Sequence, residues 1–462
     1  MKYLISRSKA ASSIVFTFFS IAISVLLSIY YDSFSIFICD LIGTLIIDLA
    51  YKKIRGNFPI ELMIIKTIAL ISVLFVYYGC KSRYGMPYYN GGSDDIRFEI
   101  QAYNYVKNGI IWPWDDPTFN NVNSNGFINN NYSGFVWLLS LLIRLSNLFG
   151  DYNTLSFRFL NVDIWISICI LSLYCFCNNR NKEEKSWLIL LMFFIPNALF
   201  ASSFVFRDTL CSFCIILSYV LILEIRKKIY SGKSITTKIF LLITVNIFGV
   251  FIRLETILFV LVIIYVAFRR NKGLNIKKNI GFLVIFTIIM YICSKINIFN
   301  PLINKINFYQ NYYLRTTRVN SLDMKIFQIP LIPFGWIPRI LLCMAFPSPV
   351  MVTRFDYLLS GGIYLYEYLI SFGVCIQIIF LPYMFKSIND GDRNGIITIL
   401  FLLIISISTF SFRHMLIVYP FMVMSTSKKF LESSNSKKQL YLLYGFSLLA
   451  ISFCMYYIGT VI

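Results

Sequence analysis

Asp94-Asp95-Ile96-Arg97-Phe98-Glu99 is the densest acidic cluster of an otherwise apolar chain. It follows the apolar run 61–79 and heads the longest polar stretch before Gly134. A carboxylate at a membrane edge can serve as general base toward a hydroxyl, or as a ligand to a hard cation. The same acids can simply complement the positive end of a helix dipole. Ser93 is placed to cap a helix from Asp94 to about Asn108, with Gly109 as its stop signal. On that helix Ile96, Ile100, Tyr103 and Val106 form one apolar stripe, so it is expected to lie flat on the membrane surface. Asp94 falls roughly opposite the stripe, away from lipid.

A second pattern recurs in the turns between apolar runs. Phe206-Arg207-Asp208, Arg253-Leu254-Glu255 and Arg413-His414 each join two such runs, and Arg339 sits beside Pro338 in another. Charges placed there cap helices, snorkel to the interface, or face a water-filled cavity. Gathered on one face, their guanidinium groups would make a cationic rim suited to a phosphate. Residues 306–319 interleave Phe308, Tyr309, Tyr312 and Tyr313 with Arg315 and Arg318. That mixture suits sugar stacking and phosphate contact, and suits a membrane-interface belt equally well.

These groups need a scaffold, and composition says which kind. Of 462 residues 58% are hydrophobic and 14% charged, with mean hydropathy +0.70. Soluble domains average roughly 45–50% apolar and about 25% charged. The expected fold is an all-α polytopic membrane protein, a single integral membrane domain over 1–462. Apolar runs fall at about 11–31, 34–50, 61–79, 134–149, 156–177, 187–204, 209–225, 239–252, 256–268, 280–294, 332–346, 363–384, 395–410, 415–426 and 439–461. Arg144 argues against 134–149 as a span, and Pro333, Pro338 and Arg339 argue against 332–346. Both are read as interfacial. Thirteen spans then remain, with the long loops 80–155 and 295–362 outside.

The net charge of +20 follows from that topology. Lys52-Lys53-Ile54-Arg55, Arg226-Lys227-Lys228, Arg269-Arg270-Asn271-Lys272, Lys428-Lys429 and Lys437-Lys438 all become cytoplasmic. Nucleic-acid binding is therefore not inferred, and contact with membrane lipids is. Cys175, Cys177, Cys211 and Cys214 lie in apolar runs and read as small hydrophobes. His414 is the lone histidine, which argues against a zinc site. Lys2, Arg7 and Lys9 precede a long apolar run without an A-x-A-like site, so the first run reads as a retained span.

Asp94-Asp95-Ile96-Arg97-Phe98 resembles the Asp-Glu-x-Arg-Tyr motif in the first outer loop of GT-C membrane glycosyltransferases, such as the lipid A aminoarabinose transferases. Tyr132-Ser133-Gly134-Phe135-Val136-Trp137, running on to Phe149-Gly150, resembles that family's juxtamembrane helix. Ser156-Phe157-Arg158-Phe159-Leu160-Asn161 resembles the Arg-Leu-x-Asn start of its next span, and Asp208 falls where the family keeps a second acid. The resemblance covers about 84–270. Two departures stand: three spans precede the acidic loop instead of one, and Arg207 directly precedes Asp208.

The resemblance implies a GT-C-like fold and a polyprenyl-(di)phosphate-linked sugar donor. The acceptor would be an envelope glycan or glycolipid, on the outer face of a bacterial cytoplasmic membrane. Asp94, with Asp95, would take the acceptor proton as its oxygen attacks the anomeric carbon with inversion. Arg207, Arg253 and Arg413, with Arg97, Arg339 and His414, would bind the lipid phosphate. Glu99, Asp208 and Glu255 would be supporting acids. A divalent cation bridging Asp94 and Asp208 is one arrangement, and a carboxylate–arginine pair accounts for the same residues without it. An O-antigen or capsule polymerase of the Wzy type is the alternative. A lipid-linked oligosaccharide flippase is a third reading, and it should carry charges deep within its spans.

Overall fold

A computed structural model describes residues 2–54, 58–92, 94–116, 133–177, 195–230, 234–269, 326, 328–329, 335–345, 365–408 and 412–461. Every regular element among them is helical. The chain divides into two compact units, residues 1–116, 132–253 and 351–373 against 117–131, 254–350 and 374–462. The apolar run 280–294, residues 306–319, Ser93 and residues 187–194 of the run 187–204 lie outside the described residues.

The first unit contains α1 (Lys2–Tyr30), α2 (Phe34–Tyr51), α3 (Pro59–Tyr84), α4 (Asp94–Lys107), α5 (Ser133–Asn147), α6 (Thr154–Cys177), α7 (Pro196–Ser202), α8 (Asp208–Tyr230) and α9 (Thr236–Ile252). The second contains α10 (Thr256–Phe268), α11 (Trp336–Ala345), α13 (Arg393–Ser408), α14 (Tyr419–Glu432) and α15 (Asn435–Val461), while α12 (Leu365–Asn389) begins in the first unit and ends in the second. Seven described helices are long and apolar enough to cross a membrane: α1, α2, α3, α6, α8, α12 and α15. The apolar helices α5, α9, α10 and α13 are shorter. At about 1.5 Å per residue, the 15 residues of α5 reach roughly 22 Å, short of a hydrocarbon core of about 30 Å.

α6 is the axis of the first unit. It is apolar on every side, as a helix enclosed by others must be, and α2, α3, α7 and α8 pack around it. Its three long-reach polar residues are all buried, and each holds a different neighbour. Arg158 donates to the carbonyls of Pro87 (2.5 Å) and Ser203 (3.2 Å), with Tyr77, Tyr88 and Phe204 rings around the guanidinium. Asn161 Nδ2 donates to the carbonyls of Phe204 (2.7 Å) and Phe206 (3.1 Å). Asp163 Oδ2 lies 3.1 Å from Lys66 Nζ of α3, which is also 3.1 Å from Asp40 Oδ1 of α2.

The sequence reading did not single out this cluster; its candidate charges were those of the loops and turns. Lys66, Asp40 and Asp163 are all fully inaccessible. Close packing of α2 on α6 depends on Gly43, where a methyl group would overlap the Asp163 carboxylate. Gly43→Ala is expected to cost about 1–3 kcal/mol through overpacking, read as a lower melting midpoint of the purified protein. An unchanged midpoint would show that the helices can separate without loss.

In the second unit, Phe401 of α13 meets Phe259 of α10 (4.8 Å between centroids) and Phe421 of α14 (5.1 Å), both edge to face. The α12–α13 turn is tied to the end of α14 by Lys429 on Asp390 (2.8 Å) and by Lys428 on Asp392.

Candidate functional site at the acidic helix

α4 forms where the sequence expected it. It stops at Gly109, whose φ of 69° is the left-handed conformation that favours glycine. Ile110 N–H closes back on the Tyr105 carbonyl at 2.9 Å, the wider of the bonds that finish a helix in this way. Arg144 of α5 completes the stop, donating to the carbonyls of Tyr105 (3.1 Å) and Ile110 (2.7 Å). A cation at a helix C-terminus is stabilised by the exposed carbonyls. The arginine that argues against α5 as a span therefore has its own task, fixing α4 to α5.

α4 carries two opposed faces. On the apolar stripe Ile100 and Tyr103 are exposed, and Ile96 and Val106 half-buried. The inner face buries Asp95, Phe98, Glu99, Ala102 and Tyr105. Two acids thus point inward, one turn apart, and each has partners. Asp95 accepts the Tyr89 N–H at 2.8 Å, which pins the 3-10 turn Tyr89–Gly91 to the start of α4. Glu99 accepts three hydroxyls: Tyr88 (2.5 Å), Thr154 (2.7 Å) and Tyr152 (2.9 Å). Asp94 is half-buried and Arg97 exposed, so Asp94 is the member of the acidic pair with access to the outside.

Burial pushes the Glu99 carboxyl above the ordinary range, against its hydroxyl donors and Arg158, which pull it down. A raised value in the folded state means that stability is fully present below the unfolded value of about 4.3 and falls as pH rises through the folded one. Glu99→Gln is expected to remove this contribution. Melting curves across pH should show a wild-type midpoint that declines above the ordinary Glu range, and a Gln variant that lacks this part of the slope. Identical slopes would mean that Glu99 holds its proton no more tightly in the folded state than in the unfolded one.

The turn before α8 meets the same inner face. Arg207 is buried with its guanidinium 5.9 Å over the Phe98 ring, one helical turn beyond Asp94. Phe98 packs edge-on against Phe135 of α5 (4.9 Å), and Phe135 against Phe157 of α6 (5.4 Å). Asp208 pairs with Arg253 at the end of α9, and both are buried. The Asp208 carboxylate is thus engaged by a guanidinium, and no group of three His, Cys, Asp or Glu among the described residues could hold a metal ion. The contact observed at Asp208 is of the carboxylate–arginine kind.

The remaining candidates belong to the second unit. Glu255 directly precedes α10, without a side-chain cap hydrogen bond, and is half-buried; Arg339 is buried in α11 with Nη2 on the Ile329 carbonyl (3.0 Å). Arg413 is half-buried and His414 buried in the 3-10 turn Phe412–Ile417.

Sequence reasoning missed two groups here. Arg158 and Asn161 were matched to a motif but given no task; they hold the Ser203–Phe206 turn that delivers Arg207 and Asp208. Trp112 lies parallel to Trp114 (5.0 Å, 6°) and to Trp137 (5.5 Å, 14°). Trp137 donates its indole N–H to the Ile111 carbonyl at 3.0 Å and meets Phe251, two residues before Arg253, at 5.7 Å. The Trp112-Pro113-Trp114 spacing was the available signal.

The fold defines a polytopic α-helical membrane protein with an amphipathic acidic helix and a paired-charge turn meeting beside its central span. Comparison with family models, curated proteins and solved structures finds no match to this chain.

Proposed function

We propose that this protein transfers a sugar or oligosaccharide from a polyprenyl-(di)phosphate carrier to an envelope glycan or glycolipid. The work would be done by a GT-C-like bundle of about thirteen spans at the outer face of a bacterial cytoplasmic membrane. The observation that carries this reading is the meeting of α4 with the Arg207 turn at Phe98, which brings a half-buried carboxylate and a cationic turn to one place. Asp94 takes the proton of the attacking hydroxyl. Arg207 and the Arg253–Asp208 pair together carry a formal charge of +1 (two arginines, one aspartate), which favours the departing lipid phosphate. The lipid tail contributes affinity at about 0.8 kcal/mol per buried methylene. Stacked indoles beside Arg253 offer a flat apolar surface to a sugar ring.

Joining of lipid-linked repeat units, as in a Wzy-type polymerase, uses the same groups with a second lipid-linked glycan as acceptor. A flippase gains from one observation, the charges of Lys66, Asp40 and Asp163 inside spans. Analysis of the surface polysaccharide of a deletion strain separates the three. One missing sugar at retained chain length supports transfer, and loss of chain length supports polymerisation. Lipid-linked glycan accumulating on the inner leaflet supports flipping, and an unaltered glycan rejects all three.

A further inference from the structure

The Asp40–Lys66–Asp163 cluster is a site in its own right, and what it holds can be argued independently of glycosyl transfer. Lys66 Nζ is 3.1 Å from Asp40 Oδ1, 3.1 Å from Asp163 Oδ2, and donates to Thr44 Oγ1 at 2.8 Å. Ser24 of α1 donates to the other Asp40 oxygen. Asp40 lies six residues into α2 and Asp163 nine residues into α6. At 1.5 Å per residue these lie about 9 and 13 Å from the helix starts, within helices long and apolar enough to cross a membrane.

One ammonium and two carboxylates sum to a formal charge of −1, enclosed where neither water nor lipid headgroups reach. Such a charge persists only when it is compensated. The surrounding helices supply no counter-charge among the described residues. α1 presents Ser20 and Ser24, while Asp48 of α2 is engaged by Ser13 and Lys52. Arg158 of α6 is spent on two carbonyls, and on α8 Asp208 and Glu224 have their own cationic partners. α7 carries no charged residue.

A second observation points the same way. One oxygen on each carboxyl, Asp40 Oδ1 and Asp163 Oδ1, is buried without a hydrogen-bond donor. Asp40 Oδ1 does touch the ammonium at 3.1 Å, but off the hydrogen-bonding direction. The two carboxyls also face the same ammonium, each with an oxygen 3.1 Å from it. Two facing acceptors repel unless a hydrogen stands between them. We infer that Asp40, Asp163 and Lys66 form an intramembrane proton-binding site, in which the two carboxyls share one proton and the whole unit is neutral. The proton comes from water as the helices pack, and bonds to a carboxylate lone pair. Because α1, α2, α3 and α6 enclose it, it can leave only when α3 parts from α2 and α6. The site thereby couples helix movement to proton release.

Infrared spectroscopy of the full chain in lipid nanodiscs tests this through the carbonyl stretch of un-ionised carboxylic acid. Difference spectra should show an acid band lost in Asp40→Asn and again in Asp163→Asn, since either change leaves one carboxylate matched to Lys66. Any acid band from Glu99, the buried carboxyl of α4 whose value burial raises, is common to every spectrum and cancels. Both single variants should melt close to wild type, because an amide can donate where the proton did. The double variant, with Lys66 left alone, should melt lower than either. An acid band that survives in either single variant overturns the inference. So do single variants that melt as low as the double one. Should a single variant fail to fold, wild type against Glu99→Gln still decides: no acid band remaining once Glu99 is removed refutes the shared proton.

Discussion

Lys66→Met is expected to destabilise the folded chain by about 3–5 kcal/mol, the cost of leaving a buried carboxylate without its partner. Methionine matches the length of the lysine stem, so little of the loss comes from packing. The stronger form of the prediction is a comparison. Lys66→Met with Asp163→Asn removes an ammonium and a carboxylate together, and replacing a buried pair is often close to neutral where breaking one is not. The double variant should therefore recover most of what the single one loses. Thermal or denaturant unfolding in one detergent reads both. Equal destabilisation would mean that the fold needs Lys66 for its contacts with Thr44, and that charge balance across α2, α3 and α6 is secondary.

The same cluster marks where sequence reading stops. Apolar runs become helices almost one for one wherever the chain is described, because periodicity and length are local properties. Gly109 as the end of α4 was legible for the same reason: glycine is cheap at positive φ, and the Tyr105 and Ile110 carbonyls need a cap. Asp40, Lys66 and Asp163 were passed over because each is one of only two charges in a long apolar run. Separations of 26 and 97 residues carry no period, and only the packing of α2, α3 and α6 makes them neighbours.

α4 shows a subtler limit. Its apolar stripe was legible, and the sequence put the opposite face away from lipid without saying what it meets. That face is packed against protein, and it tolerates two acids because Tyr88, Tyr152 and Thr154 hydroxyls and the Tyr89 N–H arrive from elsewhere in the chain. Asp208 shows the complementary limit. Its place in the turn was legible, but its pairing with Arg253, 45 residues away, was not.

That geometry sharpens what separates Asp94 from its neighbour. Asp95→Asn keeps an oxygen for the Tyr89 N–H and keeps the side chain's size, so it is expected to weaken the Tyr89–Gly91 turn with modest effect on rate. Asp94→Asn removes a base from the half-buried first turn and keeps the side chain's size. Under the proposed transfer chemistry it should lower the rate by about 10²–10⁴-fold, the usual worth of general-base catalysis, with melting unchanged. The rate is measured as glycan modification restored when each variant is returned to a deletion strain, alongside its expression and melting midpoint. Full modification by Asp94→Asn would remove this carboxylate from the reaction. Equal loss in both variants, with equally lowered melting, would make the acidic pair a helix anchor and shift the search for the base to other outer-face residues. Loss confined to Asp94→Asn in a folded protein is the result that a proton-accepting role requires, because an amide of the same shape differs from the carboxylate in charge and in its capacity to accept the acceptor's proton.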